Sequence, residues 1–84
     1  YRSGVFSPTN LRIHAGDTVR FRNDSFFPIR VVSDPHPAHD GLAGFDSVGD
    51  IPQDSSVAFT FATTGTFGYH NEKSIDQVGT VIVR

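Results

Sequence analysis

The sequence predicts an all-β fold, an antiparallel Greek-key β-sandwich or barrel, and three observations carry the prediction. Short apolar runs alternate between two faces with period two, as half-buried strands do. Clusters of Gly, Pro, Asn, Asp and Ser punctuate these runs. No stretch of any length carries a 3.6-residue apolar period. Six or seven short strands on this reading fit a small sandwich. Residues 1–84 are expected to form one domain, near the size at which burial alone just suffices for stability.

In chain order, residues 1–8 (YRSGVFSP) read as a weak edge strand, because Val5 and Phe6 are followed by Pro8, which cannot donate to a ladder. Residues 11–13 are the next apolar segment, and His14-Ala15-Gly16-Asp17 is a turn. Residues 18–23 alternate cleanly, with Val19 and Phe21 inward and Arg20 and Arg22 outward. Residues 29–33 are a further strand. Residues 34–56 then carry five Asp, three Pro and two His, a long connection of the kind that tends to be functional or mobile in a small domain. Alternation resumes at 57–61, with Val57, Phe59 and Phe61 on one face and Ala58 and Thr60 on the other.

The last twenty residues hold two β-type runs, 66–71 and 78–83, on either side of a short polar loop. Phe67, Tyr69 and Asn71 share the core face of the first run, which sends His70 and Glu72 outward together. Gly79 suits a bend or a close backbone approach.

Composition excludes several functions. With 8 Phe and no Trp, Met or Cys, the core is aromatic and β-branched. The absence of Cys removes disulfides, thiolate metal ligands and Cys nucleophiles. A net charge of −2 with scattered basic residues is no nucleic-acid footprint. No apolar run approaches the roughly 20 residues of a membrane span, and no signal peptide is visible. A start at Tyr1 rather than Met is what a mature product or an excised domain would have. No nucleophile elbow or phosphate-cradling glycine loop is present, so no catalytic or organic-cofactor residue is assigned.

The chemistry lies in the histidines. His36 stands between Pro35 and Pro37, and His39 follows three residues later, a rigid presentation of two imidazoles. If that loop packs beside the final hairpin, His70 and Glu72 complete a set of three imidazoles and a carboxylate. Such a set suits Cu(II) or Zn(II) and leaves Cu(I) without soft ligands. The competing reading makes each histidine a surface or hydrogen-bonded residue, and His14, alone in its turn, takes that reading. The loop aspartates lack the spacing of an EF-hand, so turn chemistry is preferred over calcium.

With these residues in view, the chain resembles a cupredoxin, the small copper-binding β-sandwich. Phe6-Ser7-Pro8, Leu11-Arg12-Ile13, Gly16-Asp17-Thr18-Val19 and Asn23-Asp24 are similar to the family's N-terminal pattern. Gly65-Thr66-Phe67, Tyr69 and Gly79-Thr80-Val81-Ile82-Val83 are similar to its C-terminal one. Blue-copper members carry a His after the Asn-Asp turn and a Cys, a His and usually a Met in the last loop. By the resemblance those positions fall on Ile29, Asn71, Ser74 and Gln77, so all four ligands are missing and a blue thiolate site is rejected.

A closer resemblance is to bacterial cupredoxin-like proteins that lack the Cys and carry Asp-Pro-His-Pro-Thr-His and Tyr-His-Asp/Asn-His segments. Asp34-Pro35-His36-Pro37-Ala38-His39 with Gly44-Phe45-Asp46 matches the first, and Tyr69-His70-Asn71 matches the second, with Glu72 replacing its last His. The resemblance implies a non-blue metal site of His36, His39, His70 and Glu72, with copper (Cu2+) as cofactor and Zn2+ as the other candidate. It also implies an extracytoplasmic location, periplasmic, secreted or cell-surface. The metal ion, and a partner protein or adjoining domains, are the expected partners. The rival expectation is a cupredoxin-fold interaction module that has lost its metal, and a copper redox subunit is a third.

Overall fold

The computed structural model describes residues 1–34, 45 and 50–84. Seven strands are found among them: β1 (Asn10–Ile13), β2 (Thr18–Arg22), β3 (Ile29–Ser33), β4 (Asp50–Ile51), β5 (Ser56–Thr60), β6 (Gly65–Asn71) and β7 (Ser74–Val83). They form a five-stranded sheet in the order β1-β7-β6-β3-β4 and a two-stranded sheet of β2 and β5.

Every pairing is antiparallel except β1 with β7, which run parallel with Leu11 opposite Val81 and Ile13 opposite Val83. A parallel pair needs a long return connection, and here nearly the whole chain supplies it. The edge strand lies at Asn10–Ile13 rather than in residues 1–8, which contain only an isolated Arg2–Val5 bridge. Pro8 and the short apolar pair before it cannot sustain a ladder there. The stretch expected as a long connection contains β4, whose Ile51 pairs with Ile29, and Phe45, which is a core residue.

The alternation in β2 and β5 is as expected: Val19 and Phe21 are buried and Arg20 and Arg22 exposed, while on β5 Val57 and Phe59 are partly buried against the core, Ala58 and Thr60 are exposed, and Phe61 just past the strand is buried. The core is an aromatic layer between the sheets. Tyr69 lies edge-on to Phe6 at 4.9 Å and to Phe21 at 5.2 Å, and Phe45 meets Phe21 at 5.5 Å and Phe59 at 5.1 Å. Tilted and edge-to-face pairs at these separations add to plain burial, by about 0.5–1.5 kcal/mol each. Among the described residues no helix is long and apolar enough to cross a membrane.

Two buried amides pin the end of the sandwich where β2, β3 and the β6–β7 turn meet. Asn23 has no exposed surface. Its amide donates to the Phe27 and Ile51 carbonyls, both at 2.8 Å, and its oxygen accepts from the Ser25 N–H at 2.9 Å and the Ser25 hydroxyl at 2.6 Å. A buried amide with all its groups paired costs little and fixes the chain around it. Asn71 plays the same part on β6.

Candidate metal centre

β3 and β6 pair with Val31 opposite Asn71, Val32 opposite His70 and Ser33 opposite Tyr69. The ladder continues one step at each end, through Asp34 N–H to the Gly68 carbonyl at 3.0 Å and Glu72 N–H to the Arg30 carbonyl at 2.7 Å. Period two therefore places Arg30, Val32 and Asp34 on the same face as Gly68, His70 and Glu72, opposite the aromatic layer. The predicted face of His70 and Glu72 is right, but the prediction that they look outward is not. His70 is 2% exposed and Val32 3%, so the middle of this sheet is buried on both sides. Alternation assigns a side chain to a face and is blind to whether that face is covered.

On this face, His70 Nδ1 lies 2.6 Å from Asp34 Oδ1, and His70 Nε2 lies 3.7 Å from Glu72 Oε1. His70 and Glu72 thus lie side by side on one face of the sheet. His36 and His39 lie outside the described residues, and the expectation that they complete the set is carried over to the proposal below. Among the described residues no group of three or more His, Cys, Asp or Glu side chains converges to hold an ion. His14 sits exposed in its turn, its N–H donating to Asp17 Oδ2 at 2.9 Å, as the sequence indicated. Asp34 was missed as a partner of His70. Its signal was its place, the first residue past an apolar strand and just ahead of the histidine-bearing segment.

The positions that match the blue-copper ligands tell a different story. The expected polar loop after β6 is instead a two-residue turn, Glu72-Lys73, between Asn71 and Ser74, and β7 begins directly after it. The register then slips, so that His70 faces Val78 and residues 75–77 bulge from β7. The bulge returns Gln77 to Asn71. Asn71 Nδ2 donates to Gln77 Oε1 at 3.0 Å, while Asn71 Oδ1 accepts from the Arg30 N–H at 3.1 Å and the Lys73 N–H at 3.2 Å. Gln77 Oε1 also accepts from the Tyr1 hydroxyl at 2.5 Å.

Ile29, the fourth of these positions, is a buried core residue. A thiolate centre does not fit a Cys-free set in which two amides are hydrogen-bonded to each other and a third residue is a buried alkyl group. Ile29, Asn71, Ser74 and Gln77 line an open cleft of about 720 Å³, flanked by Phe26 and Phe27, which are 82% and 76% exposed. Beside the turn, Arg30 Nε donates to Asp50 Oδ1 at 2.8 Å and Lys73 Nζ lies 3.6 Å from Asp50 Oδ2. The hydrogen bond from Arg30, helped by Lys73, holds the exposed Asp50 carboxyl below its ordinary pKa.

No protein-family model matches the chain. It is 34% identical over 86 residues to the chloroplastic plastocyanin of Tetradesmus obliquus, covering 95% of this chain and 59% of that protein. Against the plastocyanin of Scenedesmus fuscus the identity is 33% over 86 residues, covering 95% and 87%. In solved structures, the purple cupredoxin of Nitrosopumilus maritimus superposes with a TM-score of 0.83 at 27% identity, over 98% of this chain and 84% of that one. Two packed sheets closed by the β6–β7 hairpin define a small β-sandwich. The chain belongs to the cupredoxin family.

Proposed function

We propose that this chain is a single-domain cupredoxin module that binds Cu(II), with Zn(II) as the alternative ion, in a non-blue site of His36, His39, His70 and Glu72. The observation that carries the reading is the separation of 3.7 Å between His70 Nε2 and Glu72 Oε1. Bonds of about 2.0–2.2 Å from nitrogen and oxygen donors span up to roughly 4.2 Å across one ion, so the two atoms fit a shared metal. A donor set of imidazoles and a carboxylate is borderline to hard, which suits Cu(II) and Zn(II). Bound there, copper would supply a tightly held ion for storage or transfer, without the thiolate coupling of a blue centre. Membership of a copper-binding family supports the ion, a location outside the cytoplasm and a role alongside partner proteins. No catalytic residue is part of this reading.

The test is titration of the metal-free protein with Cu(II), followed by EPR and visible absorption. One equivalent is expected to give nitrogen hyperfine structure and a weak d–d band with no intense thiolate band, and His36→Ala and His70→Ala are expected to abolish tight binding. If both variants bind Cu(II) like the parent, the site is elsewhere.

A second reading is favoured by the rebuilt blue-copper position. Hydrogen-bonded amides beside exposed Phe26 and Phe27 suit a module that has lost its metal and serves as an interaction or structural unit of a larger protein. A parent that leaves Cu(II) free in solution at one equivalent decides for that reading.

A further inference from the structure

The Asp34 side chain reaches His70 across the β3–β6 ladder because of what faces it. Asp34 donates its N–H to the Gly68 carbonyl, and its carboxylate lies directly over the Gly68 Cα, where an added methyl group would overlap Asp34 Oδ2. Gly68 has an ordinary strand conformation and needs no freedom of φ; the missing side chain is what matters. Through that gap Asp34 Oδ1 comes within 2.6 Å of Nδ1 of the buried His70 ring. A carboxylate has only acceptors, so the proton of a neutral imidazole belongs on Nδ1, and the ring lone pair belongs on Nε2, the atom on the Glu72 side. A hydrogen bond from the far nitrogen to a carboxylate fixes both the tautomer and the ring plane of a ligand histidine, and raises its basicity.

We infer that Asp34 is a positioning residue for His70, and that Gly68 is the residue that admits it. Together they hold His70 as the Nδ1–H tautomer with Nε2 as the metal-binding atom. The inference rests on the metal-site reading for the identity of the ion and on the Asp34–His70 geometry for the tautomer.

Two measurements on the 84-residue chain separate these supports. Long-range proton–nitrogen NMR of the metal-free protein reads the tautomer directly: His70 is expected as Nδ1–H in the parent and as a mixture or the Nε2–H form in Asp34→Ala. Competition titration with Zn(II) against a chromophoric chelator is expected to give 10–100-fold weaker binding for Asp34→Ala. Gly68→Ala, which displaces the carboxylate without removing it, is expected to weaken binding in the same direction, while Asp34→Asn, which keeps a neutral acceptor, retains the tautomer and loses less affinity.

An Nε2–H tautomer in the parent, or Asp34→Ala with parental tautomer and affinity, overturns the positioning role. A parent with the Nδ1–H tautomer that takes up no Zn(II) or Cu(II) overturns the metal-site reading instead. The assigned role falls with it, leaving Asp34–His70 as a structural bond of the sheet.

Discussion

Asn71 shows what a buried amide at a strand end requires. The residue that the family resemblance sets at the Cys position of blue-copper members is 3% exposed, and a buried amide there is tolerable only with partners. It has three: the Arg30 and Lys73 N–H groups on its oxygen and Gln77 on its nitrogen. Asn71→Ala removes the acceptor from two backbone donors and the donor from a shared carbonyl. It is expected to cost about 2–3 kcal/mol, since each stranded buried group costs ~1–3 kcal/mol. Urea unfolding of the variant checks this, with an unchanged slope and a lower midpoint; an unchanged midpoint would mean that water replaces these bonds freely. His70, its neighbour, takes its partners from the opposite face, so one strand end carries a sealed amide on one side and the candidate ligand on the other.

At the scale of elements, the β6–β7 hairpin is what sets this arrangement. A two-residue turn brings β7 back at once, and the bulge of residues 75–77 takes up the extra length on the β7 side. Past the bulge the ladder resumes with His70 opposite Val78 and then Tyr69 opposite Gly79. A methyl group on Gly79 would overlap the Tyr69 ring and hydroxyl, so the glycine is needed for close approach rather than for a turn. Gly79→Ala is therefore expected to push Tyr69 out of its place and to destabilise by about 1–3 kcal/mol, the usual cost of overpacking. For a domain of this size that is a fall in Tm of roughly 4–8 °C per kcal/mol, readable by calorimetry. A variant as stable as the parent would show that the hairpin can shift to take the methyl. The close approach at Gly79 is readable in the sequence, whereas the length of β7 is not. Alternation fails through the bulge, and only the pairing with β6 shows that the strand starts at Ser74.

For the whole molecule, Tyr69 joins the sheets, touching Phe6, Phe21 and Phe45. Burial pushes its phenol up to about 12 from an ordinary value of 10.0. The folded pKa is the raised one, so the unfolded chain releases the proton first as pH rises. The contribution of Tyr69 to stability is thus fully present below pH 10 and is lost as pH climbs toward 12. Denaturant midpoints measured from pH 8 upward are expected to hold steady and then fall across that window, and in Tyr69→Phe the fall is expected to shrink. Equal falls in both proteins would place the alkaline loss elsewhere.

Period two, turn residues and a Phe-rich composition were enough to determine an all-β sandwich, its core residues on β2 and β5, and the absence of any thiolate chemistry. These follow from local sterics and side-chain type, which act wherever the chain goes. The same alternation placed His70 and Glu72 on one face and Asn71 on the other. What tertiary structure alone decided was which faces are covered and which distant residues meet. The parallel pairing of β1 with β7, the burial of His70, the reach of Asp34 across Gly68 and the Asn71–Gln77 bond all join residues through ladder registers. Register is set by the packing of the whole sheet, so no local pattern carries it.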